Sequence, residues 1–234
     1  MTTALVPLRD PGHGKTRLRA VLSSEHRAEL ASAMLADVVT ALHAAALPRI
    51  VVVAGGPAAR DAARALDVEV LRDPPSAGGL NAALAAAAAR VGSVDELLVV
   101  AADLPRLAGD DVATVLHSDA EVVVAPTRGG GTGGLLRRPG NRIVTAYGAS
   151  SAQRHLDLAT RAGASSATVR THGFTEDVDT EEDLARLGLR EGGPGGTGLG
   201  AIGLGERGQS GVGPATARWL DEWVDRHGVL RVTR

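Results

Sequence analysis

The 234-residue chain is predicted to be an α/β protein, a mostly parallel central sheet flanked by helices. Three observations predict it. Short apolar, β-branched runs recur along the chain, and the stretches between them carry helical periodicity. The runs are continuously apolar rather than alternating, which is the pattern of parallel strands buried on both faces and joined by right-handed crossovers.

Taken in order, the first strand is expected at "ALVPL", residues 4–8, leading into the loop "DPGHGKTRLR" at 10–19. Ser23 or Ser24 can cap a helix over 25–46, where Leu30, Met34, Leu35, Val38 and Leu42 share one face. Strands follow at "IVVVA" (50–54), "VEVL" (68–71), "LLVVAA" (97–102) and "EVVVAP" (121–126), with helices near 57–66, 80–90 and 109–117 between them. Past residue 140 the pattern loosens. "TAYGASSAQRHLDLATRAG" reads as a loop entering a helix, "SATVRT" as a further strand, and Thr180 can cap a short helix with Asp183 in an arrangement close to a capping box. The expected organisation is one main domain over 1–190, a glycine-rich flexible insertion or linker over 191–213, and a helical tail over 214–234. That tail turns Trp219, Leu220 and Trp223 either toward a partner surface, which leaves a homodimer open, or back onto its own domain.

Alanine, glycine and arginine dominate, as the coding bias of a GC-rich genome would produce. A formal charge of −2 with no basic stripe offers no field for nucleic acid. With no cysteine there is no thiolate nucleophile or thiolate metal site, so a metal would need oxygen or imidazole ligands. No signal-peptide pattern opens the chain, and its alanine-rich runs are too short and too often charged to cross a membrane, so a cytoplasmic protein is expected.

"GHGKT" suggests a phosphate-binding P-loop, but the spacing requires glycine where the chain has Arg9. The loop nevertheless holds Lys15, the only lysine in the chain, together with Arg17, Arg19 and glycine amides that can cradle a polyphosphate. In a parallel sheet, ligands bind beyond the carboxyl ends of the strands, where four loops of this chain are expected to gather. Asp103 closes an apolar strand there and suits Mg²⁺, or alternatively a turn or helix cap. Asp177 and Asp179, two apart in "EDVDTEED", can point to one side and supply a second metal carboxylate; alternatively they form a solvated helix entrance with Asp179 in the Thr180 cap. Gly79 lets backbone approach a flat ligand, and Asn81 presents the donor and acceptor edges a nucleobase needs, or caps a helix. "GGGTGG" can approach an anion through its backbone with Thr132 adding a hydroxyl, or simply turn the chain.

With these residues in place, roughly residues 3–190 resemble the guanylyltransferases of deazaflavin coenzyme F-420 biosynthesis, which join GTP to 2-phospho-L-lactate or, in actinobacterial members, phosphoenolpyruvate. The resemblance rests on ordered motifs: "GKTRL", "SSEHRAELASAMLADVVTAL", "GGLNAAL", "AADLPRL", "GGGTGGLL", the Gly148-x-x-Ser151-x-x-x-His155-Leu156 run and "DVDTEEDL". It implies a nucleotide-diphospho-sugar transferase type of domain in which Mg²⁺ is held by Asp103 and one of Asp177 and Asp179. Lys15 and Arg17 would face the triphosphate, Gly79 and Asn81 the guanosine, and Thr132, Gly148 and Ser151 the phosphorylated acid. A pathway enzyme that accepts a labile product is the one protein partner implied. The chain departs from the family at Arg9, often lysine, and in "YGASSA", where an aromatic residue usually follows the serine.

Overall fold

The computed structural model describes residues 1–10, 15–73, 78–92, 94–188 and 211–227. The glycines before Lys15 and residues 191–210 of the expected linker lie outside them. One sheet of seven strands runs through the molecule: β1 (Thr2–Leu8), β2 (Arg49–Ala54), β3 (Glu69–Arg72), β4 (Glu96–Val100), β5 (Val122–Pro126), β6 (Thr132–Arg137) and β7 (Ser166–Thr168), in the spatial order β3-β2-β1-β4-β6-β5-β7. All pairings are parallel except those of β6, which runs antiparallel to both β4 and β5.

The expected α/β fold is what forms, and β6 is the correction. "TGGLLR" reads as loop because glycine is poor in strands. In the fold those glycines make room for an aromatic ring: a Cβ on Gly134 would stand 2.7 Å from Cε1 of Phe174, itself fully buried. Burial therefore overrides the weak local preference.

Helices cover both faces, as strands apolar on both sides require. α1 (Ser24–Ala44), α2 (Pro57–Arg64), α4 (Gly109–Leu116) and the short α6 (His172–Thr175) lie over the face that holds Val6, Val52, Val100 and Leu136. α3 (Leu80–Val91) and α5 (Ser151–Arg161) close the other, over Leu5, Val51, Val99 and Leu135. Of the two candidate caps it is Ser23 that serves α1, accepting from His26 N at 3.1 Å. The capping box of α7 (Glu181–Gly188) forms as the sequence suggests: Asp183 accepts from Thr180 N at 2.8 Å, and Asp183 N donates to Thr180 Oγ1 at 3.2 Å.

The tail forms α8 (Pro214–His227) and packs along α1. Trp219 and Leu220 join Leu18, Leu22, Leu30, Met34 and Leu184 in a third apolar cluster beside the site, so the tail docks on its own chain. Its anchor is electrostatic. Asp37 in α1, 2% exposed, accepts from Ala215 N at 2.9 Å and Thr216 N at 2.8 Å, capping a helix remote from it in sequence. Asp37→Ala is expected to cost about 2 kcal/mol, because two buried amides lose a charged acceptor. A urea midpoint unchanged from wild type, with no added trypsin cleavage at Arg218, would refute that.

Candidate active site

β1, β4 and β5 end at the same edge of the sheet, and the chemistry gathers there. After β1 the chain enters a short 3₁₀ turn (Thr16–Leu18), with Lys15 in left-handed conformation at φ 49° just before it. That turn buries Leu18 in the cluster shared with α1 and α7, which carries the Lys15 side chain inward. Lys15 Nζ bonds Asp103, which follows β4, and reaches Asp179 Oδ1 at 2.9 Å. The segment holding Asp177 and Asp179 is tied to the end of β4 by Val178 N donating to Asp103 O at 3.2 Å.

Burial alone would pull the Lys15 ammonium down. The charges of Asp103 and Asp179, with their hydrogen bonds, outweigh it and raise the pKa above the ordinary lysine value, so the group stays cationic. Among the described residues Asp177 has no such cationic partner. Burial first, and then the charges of Asp103, Asp179 and Asp183, push its carboxyl up to about 6. The site thus carries more negative charge than its lysine neutralises, a condition that a divalent cation would relieve.

Hard carboxylate oxygens suit Mg²⁺. Among the described residues no group of three or more acidic or histidine side chains can hold an ion alone. Asp103, Asp177 and Asp179 are the carboxylates at this edge that could give an ion one or two ligands, with ligand oxygens and water completing its shell.

Two clefts meet at Asp179. The first, about 400 Å³, is lined by Pro7, Leu8, Arg9, Lys15, Leu80, Asp103, Thr132 and Tyr147 among others. The second, about 500 Å³, is lined by Arg17, Thr127, Arg128, Gly148, Asp177 and Arg186 among others. Arg17 thus borders the second cleft rather than the one containing Lys15. Gly148, with φ +129°, turns the chain into α5 at its rim.

Thr132 and Ser151 are brought together, their hydroxyls 2.9 Å apart at 5% and 1% exposure. Gly79 stands at the start of α3 with φ +112°, and no atom of the described residues lies within 4 Å of where a Cβ would be. Asn81 is placed differently from expectation. Its Nδ2 donates to Tyr147 O at 3.1 Å and its Oδ1 accepts from Tyr147 N at 2.7 Å, so both amide edges join α3 to the segment before α5. A nucleobase contact through that side chain would require those bonds to open.

Sequence reasoning missed three groups here. Arg128 borders the second cleft and is paired with Glu176, which is 9% exposed. Thr127 Oγ1, on the same wall, is buried without a hydrogen-bond partner among the described residues. His155 is fully buried behind Thr132. His155 belongs to a motif whose spacing was visible and Thr127 and Arg128 lie just before another, but only the folded contact gives each side chain a task.

Comparison with known proteins shows the family to which the chain belongs. A family model described as "Guanylyl transferase CofC like" matches residues 2–194. A phosphoenolpyruvate guanylyltransferase of Nocardia farcinica is 41% identical over 193 residues, covering 78% of this chain and 83% of that protein. A 3-phospho-D-glycerate guanylyltransferase of Phenylobacterium zucineum is 36% identical over 196 residues, covering 80% and 89%. Among solved structures, a nucleotidyl transferase from Methanothermobacter thermautotrophicus superposes with a TM-score of 0.61 at 18% identity, covering 80% of this chain and 95% of that one. That likeness carries the fold alone.

Proposed function

Because the chain belongs to the CofC-like guanylyl transferase family, we propose that it transfers GMP from GTP to the phosphate of phosphoenolpyruvate, releasing pyrophosphate, in coenzyme F-420 biosynthesis. It is a GTP-dependent guanylyltransferase by family. Phosphoenolpyruvate is preferred over 2-phospho-L-lactate and 3-phospho-D-glycerate because the relative at 41% identity carries that name.

The observation that carries the reading is the lysine held between Asp103 and Asp179 at the carboxyl edge of the sheet, where two clefts meet. The first cleft suits the nucleotide, with Lys15 at its inner end facing the triphosphate. The second, bordered by Arg17, Arg128 and Arg186, suits a small phosphorylated acid, whose charge Arg17 would meet together with Arg128 and Arg186 as these exchange their pairs with Glu176 and Asp183. Gly148 lines this second cleft; Thr132, which lines the first, and Ser151 adjoin it through their neighbours Gly131 and Ser150, so all three could meet the acid where the clefts join.

The acceptor phosphate has a second pKa near 6 and is largely a dianion at neutral pH. Its oxygen attacks the α-phosphorus of GTP, the bond to the β-phosphate oxygen breaks, and pyrophosphate leaves with the electron pair. No protein base is needed. What the chain must do is place nucleophile and leaving group in line and hold positive charge where negative charge builds. Lys15 holds that charge on the nucleotide side and Arg17 on the acceptor side. Mg²⁺, held by Asp103 with Asp177 or Asp179, would supply further charge neutralisation at the triphosphate.

The test is pyrophosphate release from GTP with Mg²⁺ and each of the three acids, or none, with a product-consuming enzyme present in a parallel set. Acceptor-dependent release, greatest with phosphoenolpyruvate, is expected. Release favouring another acid would reassign the substrate, and equal release without acceptor would sink the transfer reading.

A further inference from the structure

We propose that His155 is a positioning residue that makes the Thr132–Ser151 hydroxyl pair a hydrogen-bond donor to an oxygen of the acceptor acid. The inference rests on the reading above that the phosphorylated acid binds beside these two residues.

It follows from counting protons. Ala146 N lies 2.8 Å from His155 Nε2, and a backbone amide can only donate, so Nε2 accepts and carries no proton. The one proton of the neutral imidazole is then on Nδ1, which lies 3.1 Å from Thr132 Oγ1 and donates to it. Thr132 and Ser151 own two hydroxyl protons between them, and their mutual 2.9 Å bond uses one, whichever oxygen donates. Nδ1 cannot accept the other. Among the described residues one O–H donor is therefore left over, at the first residue of the 11-residue helix α5 and on the wall where Thr132 borders the first cleft and Gly131 and Ser150 border the second. In the opposite tautomer Nδ1 would take that proton, and the pair would have nothing to offer.

The surroundings keep the ring neutral. Burial first, and then the nearby Arg137 and Arg154 charges, hold the His155 pKa down at about 4. The Tyr147 ring, edge-on at 5.1 Å, walls the imidazole in, and the Asn81 bonds to Tyr147 backbone fix the segment that presents Ala146 N. Each link in the chain is thus oriented by the one behind it.

The experiment compares His155→Leu, His155→Asn and His155→Asp with wild type. It measures pyrophosphate release against acid concentration at saturating GTP, release against GTP at saturating acid, and thermal unfolding. An asparagine amide can donate where Nδ1 does, whereas a carboxylate accepts there. The acceptor KM is expected to rise about ten-fold or more in His155→Leu and further in His155→Asp, and to return to within about three-fold in His155→Asn. The KM for GTP should change by less than about two-fold in all three. If His155→Asn is no better than His155→Leu, if the GTP KM rises as far as that of the acid, or if acceptor KM simply tracks the unfolding midpoint, the proposal is overturned.

Nitrogen-15 NMR of the wild-type imidazoles decides the tautomer without any variant having to fold well, except that His155→Asn identifies the signal. An Nδ1–H tautomer across about pH 6 to 8 is expected, and an Nε2–H ring or an imidazolium overturns the proton count. Wild type whose pyrophosphate release is no greater with any acid than with none overturns the guanylyltransferase reading and the ligand assigned here, while the NMR result separately decides the role of His155 toward Thr132.

Discussion

Lys15→Met is expected to lower kcat/KM for acceptor-dependent pyrophosphate release by about 10²- to 10³-fold, the scale on which one preorganised charge at a developing oxyanion matters. The side chain is 10% exposed and clasped by two carboxylates, so its cation is already in place before a nucleotide arrives. Lys15→Arg should not restore the rate. A guanidinium is broader and planar, and the slot between Asp103 and Asp179 is shaped by a single ammonium nitrogen. The same substitution to methionine should also lower the unfolding midpoint in chelator, because it leaves Asp103, Asp177, Asp179 and Asp183 facing one another without their buried cation. Kinetics within about three-fold of wild type would remove Lys15 from the mechanism.

Asp103→Asn should cost a comparable factor in rate, about 10²- to 10³-fold, and should also flatten the pH dependence of stability. Asp177 has a folded pKa of about 6 against an ordinary 3.8. Between those values the folded protein keeps a proton that the unfolded chain has lost. The resulting stabilisation is complete below 3.8 and is lost as pH rises through 6. After burial, the Asp103 charge is the largest cause of that shift. In Asp103→Asn the Asp177 pKa should fall, and the decline in stability across this window should shrink by about 1 kcal/mol, a figure reduced for solvent screening of a half-exposed group. Urea unfolding in chelator at several pH values reads this directly. Curves for variant and wild type that run parallel between pH 3.8 and 6 would show that the two carboxylates are not coupled. The flattened pH dependence expected of Asp103→Asn, read beside its rate, separates a catalytic loss from a general folding defect.

Much of the fold was legible because its signals are local. The face formed by Leu30, Met34, Leu35, Val38 and Leu42, the Ser23 cap and the Thr180–Asp183 capping box each depend on residues within a few turns of one another. β6 was not legible. Its glycines are explained by Phe174, a residue far along the chain, and no window of sequence holds both. The site divides in the same way. Asp103 at a strand end and the paired Asp177 and Asp179 could be singled out from position and spacing, as could Lys15 from its being the only lysine. The tasks of Asn81 and His155 could not, since the first bonds Tyr147 backbone 66 residues away and the second receives Ala146 N from a loop folded back over it.

By itself, then, the sequence determined the fold class, most of the elements and the family, because hydrophobic periodicity, caps and ordered motifs are written in neighbouring residues. Only the tertiary structure decided that Lys15 lies between carboxylates 88 and 164 residues distant, that the tail helix is capped by Asp37, and that the Thr132 and Ser151 hydroxyls meet 2.9 Å apart. Those are matters of distance and hydrogen-bond direction between remote segments, and they come into being only when packing around the sheet brings the segments together.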